Sequence, residues 1–294
     1  MREWLRGVFA ECNQRVSRTI TQIPTTYETA LDMTFIQHFL GVSAPHRFPS
    51  GWVADISTHF LGGGRHYFNW EVADIGVLVI YRQRGKVLRS KIALLQSKRL
   101  YPNELEWDED NDLNYARGFG RLFQQDDDWD AVTAPRNFGF SDQSKYKALV
   151  TGVKQYDVIA EYEEKYKIPI YYLLYNPLQI PFSVTLPISG AVDYAPECRV
   201  GCRVIPAKDL RGLLASRPLG HSPAFGEICN DLLGPFAEEQ HTAGWRLEHF
   251  LVDSLLNCET GYIAKSRADA GLDAVFNRRT GPISAAFSIT LDAP

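Results

Sequence analysis

The pattern of apolar and polar positions is most regular in the first half of the chain, where it predicts a β-hairpin. Residues 72–81 and residues 87–95 form two apolar runs rich in Val, Ile and Leu. The basic segment 82–86, which contains a glycine, separates them. β-Branched and large apolar residues on both sides of such a segment are typical of two paired strands.

Polar side chains interrupt the hairpin at one end. Asp74 lies where the first strand begins, and Gln96 and Lys98 lie where the second strand ends. Because side chains alternate along a strand, Gln96 and Lys98 are expected on one face and Ser97 on the other. An acid, an amide oxygen and a lysine are therefore expected to meet at one end of a sheet. This combination suits a hard cation and an activated water.

Helical periodicity flanks the hairpin on both sides. A first helix is expected after Thr25 or Thr26 as its cap, with Glu28 in its first turn and apolar positions at Leu31, Phe35, Ile36, Phe39 and Leu40. Residues 145–167 predict a long second helix that carries Gln155, and residues 170–175 predict a buried strand. Residues 283–291 predict a final strand that lies at an edge or closes the sheet.

Composition and charge narrow the class of protein. Of the 294 residues, 45% are hydrophobic and 22% are charged, which is typical of a globular chain. No apolar window is long enough to predict a membrane span. The five cysteines are odd in number and scattered, which favours free thiols in a reducing cytoplasm. The net charge of −4 argues against a protein that coats nucleic acid non-specifically.

The charges are unevenly distributed along the chain. Residues 82–99 contain seven basic side chains and no acid, whereas residues 104–112 contain six acids and no base. The acidic segment belongs to an insertion of residues 102–142. Charge blocks of this kind are usually solvated surface, and the alternative is an arm that covers the basic hairpin until a substrate displaces it.

The order helix, strands, helix, strand, together with Asp74 and the motif Gln96-Ser97-Lys98, resembles the PD-(D/E)xK nuclease superfamily. The closest variant is the Mrr-like type, in which glutamine replaces the last acid to give Q-x-K. Glu28 matches the helix-borne acid of these proteins, and Gln155 resembles a glutamine that they often carry on the second core helix. Two departures are the 22-residue separation of Asp74 from Gln96 and the presence of Ala73 where proline is common.

The resemblance implies the fold class and the domain organisation. The expected fold is α/β, with a restriction-endonuclease-like α-β-β-β-α-β core whose mixed sheet is flanked by helices, plus a mixed α+β C-terminal region. One core strand is expected within residues 50–68, or within a divided segment 93–100. The expected parts are an N-terminal helix or arm in residues 1–24, a core in residues 25–179 and a C-terminal region of unassigned role in residues 180–294.

The resemblance also implies the roles of the candidate residues. Asp74, Gln96 and Glu28 are expected to bind Mg²⁺ or Mn²⁺, with help from the carbonyl of Ser97, and Lys98 is expected to orient or activate the attacking water. Gln155 is a secondary candidate, and so is Glu71 if a bulge turns it towards the site. Four cations are expected to contact phosphates that flank the site: Arg82, Arg84, Lys86 and Arg99.

The expected function is a metal-dependent endonuclease that acts on double-stranded DNA in restriction or anti-phage defence. The alternative is a catalytically degenerate module of the same fold that binds nucleic acid or scaffolds a complex. An RNA nuclease is a third reading. A partner protein or a homo-oligomer is compatible with the sequence, and membrane association is not expected.

Overall fold

The structure is a computed structural model that describes residues 1–60, 72–104, 136–186, 198–229, 244–266, 268–277 and 283–294. Among these residues, none of the helices combines the length and the apolar character that a membrane crossing requires. Glu71 and most of the acidic insertion, residues 105–135, lie outside the described residues. The predictions made for them, including the covering arm, therefore stay predictions.

The centre of the described fold is a mixed sheet of nine strands. Eight of them follow the spatial order β1-β2-β12-β3-β4-β7-β9-β10, and β11 pairs with β4 beside this path. Their bounds are β1 His46–Arg47, β2 Val53–Phe60, β3 Ile75–Gln83, β4 Lys86–Arg99, β7 Ile170–Tyr175, β9 Arg203–Pro206, β10 Trp245–Arg246, β11 Tyr262–Ala264 and β12 Ala285–Ala293.

The predicted hairpin is confirmed as β3 and β4, which pair antiparallel from Ile75 opposite Leu95 to the turn. Arg84 and Gly85 form this turn with φ angles of 50° and 77°. Two successive positive φ angles match the twist of a tight hairpin, and glycine adopts them at no steric cost. Strand β4 runs on beyond Leu95 and pairs in parallel with β7, which confirms the buried strand predicted for residues 170–175.

The last strand, β12, does not lie at an edge. It pairs antiparallel with β2 on one side and parallel with β3 on the other. The side chains of Phe287, Ile289 and Leu291 are buried, as expected for a strand with neighbours on both sides. The predicted core of residues 25–179 and the predicted C-terminal region of residues 180–294 therefore contribute strands to the same sheet.

Helices cover both faces of this sheet. The described helices with at least two turns are α1 Arg2–Gln22, α2 Glu28–Leu40, α3 Lys154–Tyr166 and α4 Ala207–Leu214. Tyr175 of β7 contacts Asp32 of α2, whereas the ring of Tyr172 lies 6.3 Å from the ring of Tyr156 in α3. Because Tyr172 and Tyr175 are three residues apart on one strand, they mark opposite faces.

An aromatic cluster fixes the first two helices to the sheet. The ring of Phe39 lies 5.6 Å from Phe9, 5.4 Å from Phe35 and 4.8 Å from Phe287. These four side chains are fully buried and join α1, α2 and β12. Burial of large rings contributes strongly to a core, and offset or edge contacts between them add further stabilisation. This packing holds α2 against α1 and the sheet.

Two helix boundaries differ from the predictions. The second helix begins at Lys154 rather than at residue 145. Lys145 instead makes isolated bridges to Tyr101 and Ala224, and Gly152 adopts a φ of 79° that ends the irregular segment. The first turn of α2 begins at Glu28 with Tyr27 as its N-cap, and neither Thr25 nor Thr26 caps it.

The remaining described elements are short. A three-stranded sheet contains β5 Asn103–Glu104, β6 Arg136–Phe140 and β8 Phe182–Leu186. Single helical turns occupy Phe225–Ile228, Leu247–His249 and Ala270–Leu272, and π-helical turns follow the last two at Phe250–Leu255 and Asp273–Asn277. The described fold is therefore a mixed α/β structure with a multi-stranded mixed sheet flanked by helices.

Candidate functional site

The site lies where β4 continues beyond the first residue of β3. Strand β3 begins at Ile75 opposite Leu95, so the next residues of β4 have no β3 partner on that edge. The backbone N–H groups of Ser97 and Arg99 are two residues apart and therefore point to the same edge. In place of a strand, the carboxylates of Asp74 and Glu28 accept their hydrogen bonds, at 2.6 Å and 3.1 Å respectively.

Asp74 is held by three donors at a single oxygen. Its Oδ2 accepts hydrogen bonds from the backbone N–H of Ser97, from the Ser97 hydroxyl at 2.8 Å and from Nε2 of Gln96 at 2.7 Å. Its backbone N–H donates to the carbonyl of Leu95, which fixes the residue at the start of β3. The carboxylate is therefore oriented by β4 and keeps its second oxygen, Oδ1, outside these contacts.

Lys98 and Glu28 form an ion pair next to this carboxylate. Nζ of Lys98 lies 3.3 Å from Oε1 of Glu28, and only 4% of Lys98 is exposed. Glu28 is the first helical residue of α2, where the positive end of the helix dipole stabilises a carboxylate. The pair joins the helix to the strand at the point where the sheet opens.

Gln96 contains the most unusual atom of the site. The residue is 2% exposed, and its Oε1 is buried with no hydrogen-bond donor among the residues that the structure describes. A buried acceptor without a donor costs free energy, on the order of 1–3 kcal/mol. Rotation of the amide by a half turn exchanges its oxygen and nitrogen and brings the oxygen beside Asp74. Two adjacent oxygens repel each other unless a cation lies between them.

Two residues of the site were not among the predicted ones. The hydroxyl of Tyr175 donates to Oδ1 of Asp32 at 2.7 Å. Asp32 lies four residues after Glu28, so both carboxylates share one side of α2, and this spacing is the signal that could have found it. Tyr175 gave no signal, because a tyrosine in a run of buried strand residues is most often part of the core.

Ser97 also contributes more than the sequence indicated. It was expected to offer only its carbonyl, because its side chain alternates with those of Gln96 and Lys98. Its hydroxyl nevertheless reaches Asp74, since that carboxylate lies at the edge of the strand rather than over one face. The edge position lets residues from both faces of β4 contact one acid.

The pKa values of Asp74 and Asp32 depend on burial and on the charges around them. Burial raises the pKa of Asp74 to about 6; the positive charge of Lys98 and hydrogen bonds from Ser97 lower it, while the charge of Glu28 raises it. Burial raises the pKa of Asp32 well above its ordinary value, and the nearby charge of Asp74 adds to the effect. Simultaneous ionisation of Asp74 and Asp32 is therefore unfavourable without additional positive charge.

The donor set fits a small hard cation. Within the described residues, no group of three or more His, Cys, Asp or Glu side chains is arranged to hold a metal ion. Mg²⁺, however, commonly binds through one or two carboxylates and keeps several waters. After the half turn of the Gln96 amide described above, Oε1 would join the Asp74 carboxylate in such a set, and Glu28 adjoins them through Lys98.

Gln155 lies in the first turn of α3 and is partly buried. The next residue, Tyr156, contacts Tyr172, and Tyr172 lies opposite Gln96 in the β4–β7 pairing. The start of α3 therefore covers the face of the sheet that carries Gln96. Glu71, the other secondary candidate, lies outside the described residues.

The predicted phosphate contacts do not flank the site. Arg82, Arg84 and Lys86 lie at the hairpin turn, at the opposite end of β3 from Asp74. Arg82 is eight residues from Asp74 along the chain, which corresponds to about 26 Å at about 3.3 Å per residue. The strand geometry itself sets this distance, because a turn and the open ends of its two strands are at opposite ends of a hairpin.

Arg99 does not lie on the surface where a phosphate contact was expected. It is 2% exposed, and its guanidinium donates hydrogen bonds to the backbone carbonyls of Pro24 and Thr26. The guanidinium also stacks over the ring of Tyr101, with Cζ 4.2 Å from the ring centroid. Its observed contacts tie β4 to the turn that precedes α2.

Comparison with known proteins gives no match: no protein-family model, curated protein or solved structure is significantly similar to this chain.

Proposed function

We propose that this chain is a metal-dependent endonuclease that hydrolyses phosphodiester bonds in DNA, as a cytoplasmic effector of restriction or anti-phage defence. One observation carries the proposal. Asp74, Gln96, Lys98 and Glu28, which the Q-x-K resemblance selects, lie together at one open edge of the sheet. Asp74 and Glu28 are distant from Gln96 and Lys98 along the chain, and their proximity in the fold supports the proposal.

The order and direction of the strands support a restriction-endonuclease-like core. The elements α2, β2, β3, β4, α3 and β7 follow one another as α-β-β-β-α-β, with the two-residue β1 after α2 and the short strands β5 and β6 before α3. Strands β3 and β4 are antiparallel, and β4 and β7 are parallel. Strand β12 separates β2 from β3, so the proposed core has one strand inserted between its first two strands.

Asp74 and Gln96 would hold Mg²⁺ or Mn²⁺, with Glu28 as the third predicted ligand. When bound, such an ion supplies Lewis acidity to the phosphate and lowers the pKa of a coordinated water. The chain's own residues prepare this arrangement: the hydroxyl and N–H of Ser97 fix the Asp74 carboxylate, and the buried side chain of Gln96 lies next to it.

Lys98 is the proposed electrostatic catalyst. Its ammonium is buried beside the carboxylates, where a positive charge interacts more strongly than in water. The ion pair with Glu28 fixes Nζ at the edge of the sheet, where it would orient the attacking water and offset charge that develops on the phosphate. Glu28 is in this respect a positioning residue for Lys98.

The experiment is cleavage of plasmid and linear double-stranded DNA by the full chain with Mg²⁺, Mn²⁺ or EDTA. We expect metal-dependent cutting by the wild type, and a loss of at least about 100-fold in Lys98→Ala because a transition-state charge is removed. The matched control is Lys208→Ala, which truncates an exposed lysine on α4. Thermal unfolding of each variant checks that it is folded.

Cutting that persists in folded Lys98→Ala, or that is unchanged in EDTA, would contradict the proposal. The same assay with single-stranded and double-stranded RNA decides between a DNA and an RNA nuclease. Faster hydrolysis of RNA than of DNA would assign the site to the second class.

A second candidate function is a catalytically degenerate module that binds nucleic acid or scaffolds a complex. The specific observation in its favour is that Oδ2 of Asp74 already accepts three hydrogen bonds, while Lys98 already has Glu28 as its partner. A degenerate site is expected to bind no metal, so Mg²⁺ would leave its melting temperature unchanged. Stabilisation by Mg²⁺ that Asp74→Ala abolishes would exclude this reading.

A further inference from the structure

An exposed aromatic side chain adjoins the candidate site. Tyr27 is 80% exposed, although tyrosine usually buries much of its ring. It is the N-cap residue of α2 and directly precedes Glu28, whose carboxylate binds Lys98. Ile23, in the same turn between α1 and α2, is 52% exposed. The turn therefore presents apolar surface to solvent beside the proposed catalytic lysine.

This turn is held firmly in spite of its exposure. The guanidinium of Arg99 donates to the carbonyls of Pro24 and Thr26, and the N–H of Thr26 donates to the carbonyl of Ile23 at 2.9 Å. Arg99 is itself buried in β4. The turn is thus fixed to the strand that carries Gln96 and Lys98. Its backbone therefore loses little conformational entropy when Tyr27 binds a partner.

Cations lie on the adjoining surface. Arg99 stacks on one ring, Tyr101, and Nζ of Lys147 lies 5.5 Å from the centroid of that same ring. The backbone N–H of Tyr101 donates to the carbonyl of Lys145 at 2.9 Å, so Lys145 adjoins the same strand end. Both lysines are exposed. Arg99 contacts both groups, since it donates to the carbonyl of Thr26, the residue before Tyr27, and stacks on the Tyr101 ring that Lys147 also contacts.

Aromatic faces next to lysines are typical of surfaces that bind single-stranded nucleic acid. The rings stack on bases, and the cations contact the phosphates. In a continuous duplex the faces of the bases are covered by their neighbours, so a protruding tyrosine finds a stacking partner only where a base is unpaired. An exposed tyrosine beside two lysines therefore favours binding of an unpaired strand over binding to the side of a duplex.

We propose that Tyr27, together with Lys145 and Lys147, binds an unpaired nucleic-acid segment next to the scissile phosphate. The proposal rests on the proposed function and names the form of substrate that the site prefers. Tyr27 directly precedes Glu28, the ion-pair partner of Lys98. A strand whose base stacks on Tyr27 and whose phosphates contact the two lysines therefore lies next to Lys98. The site then acts at single strands, overhangs or locally opened duplex in preference to intact duplex.

The test is fluorescence anisotropy of the full chain in EDTA, so that binding is measured without cutting. The probes are a labelled single strand of about 20 nucleotides and the blunt duplex of the same sequence. We expect the single strand to bind more tightly than the duplex. Tyr27→Ala is expected to weaken single-strand binding about 5-fold to 100-fold, the range for loss of one stacked base, and Tyr27→Phe is expected to retain it.

Two further variants complete the design. Leu219→Ala removes a side chain that is 87% exposed elsewhere and is expected to leave binding unchanged. Lys145→Ala with Lys147→Ala is expected to reduce the slope of log K against log salt by about 1.4, since each single-strand phosphate contact contributes about 0.7.

Equal affinity of Tyr27→Ala and the wild type for the single strand, or tighter binding of the blunt duplex, would overturn the inference. Neither result depends on cleavage. A protein that binds through Tyr27 but never cuts would contradict the nuclease proposal alone. A protein that cuts in a Lys98-dependent manner and ignores Tyr27 would contradict this inference alone.

Discussion

The two ends of the β3–β4 hairpin differ in how they use the same type of residue. All the charged residues between positions 82 and 99 are basic, yet they lie in different environments at the two ends of the hairpin. At the turn, Arg84 and Lys86 are exposed, and Lys86 lines a groove together with Arg89 and Lys265. At the open end, Lys98 and Arg99 are buried and bind oxygen atoms of the chain itself.

The strand pairing explains the difference. At the turn the backbone groups are satisfied within the hairpin and by the end of β12, where the N–H of Arg84 donates to the carbonyl of Ala293 at 3.1 Å. The side chains of Arg84 and Lys86 are exposed to water. At the open end β4 outruns β3, and the carboxylates of Asp74 and Glu28 complete its edge. Glu28 pairs with Lys98 there, and the carbonyls of Pro24 and Thr26 accept hydrogen bonds from the guanidinium of Arg99.

The largest expected difference between the two ends is the effect of an arginine substitution on the free energy of unfolding. We expect Arg99→Ala to lower the free energy of unfolding by about 2–4 kcal/mol, because the carbonyls of Pro24 and Thr26 lose their donor inside the protein. Arg84→Ala, the matched substitution at the turn, is expected to change it by less than about 0.5 kcal/mol. Urea denaturation followed by circular dichroism measures both.

Equal effects of the two substitutions would mean that the buried and exposed environments of these arginines do not differ in energy. A large loss in Arg84→Ala would locate the stabilising cation at the turn instead. Either result would remove the basis for calling Arg99 structural.

A smaller effect on the free energy of unfolding is expected from Asp74, an acid at the open end. The folded-state pKa of Asp74, about 6, lies above its ordinary value of 3.8. The folded state therefore holds this proton more tightly, and the carboxyl stabilises the fold below about pH 4 and loses that contribution as the pH rises through about 6. The displacement corresponds to about 3 kcal/mol at most, and partial exposure reduces it to about 1–2 kcal/mol.

Asp74→Asn is accordingly expected to raise the free energy of unfolding at pH 7 in EDTA by about 1–2 kcal/mol and to flatten its decline between about pH 4 and pH 6. Chemical denaturation across this pH range provides the measurement. Glu164→Gln, which alters an exposed carboxylate on α3, serves as the control. A variant that is less stable than the wild type at pH 7 would show that the hydrogen bonds to Asp74 outweigh its charge.

The sequence predicted this open end well where the pattern is local. The hairpin pattern predicted that Asp74 and Gln96 meet at one end of the sheet, and the two side chains are in contact. Glu28, which the family resemblance and not a local pattern selected, contacts Lys98. The sequence did not predict Tyr175, because the partner of a buried tyrosine depends on which helix packs over the strand. The burial of Arg99 was missed for the same reason: its acceptors, Pro24 and Thr26, are far away in sequence.

Long-range pairing accounts for the other errors. Strand β12 has an ordinary strand pattern, and nothing in it indicates that it inserts between β2 and β3. The position of the basic turn was predictable from strand geometry alone, since a hairpin of this length separates its turn from its open ends. Treating the cations as one patch ignored that separation.

The smallest expected effect concerns the cations of the turn as nucleic-acid contacts. They lie further from Asp74 than Arg82 does, hence more than about 26 Å along the strand, which corresponds to about 8 base pairs of B-form duplex. Arg84→Ala with Lys86→Ala is therefore expected to leave the affinity for short DNA unchanged. For duplexes that extend further than about 8 base pairs from the site, we expect the slope of log K against log salt to fall by up to about 1.8, since each duplex phosphate contributes about 0.9.

Titrations of short and long duplexes in EDTA at several salt concentrations test this length dependence, with Lys208→Ala as the exposed-lysine control. A slope that falls equally for both lengths would mean that DNA lies across the turn rather than along the strand from the site. A slope that changes for neither length would leave these cations as solvated surface. Only a change confined to the long duplex assigns the turn to a second contact, remote from the site, because length is the one variable that separates the two ends of the hairpin.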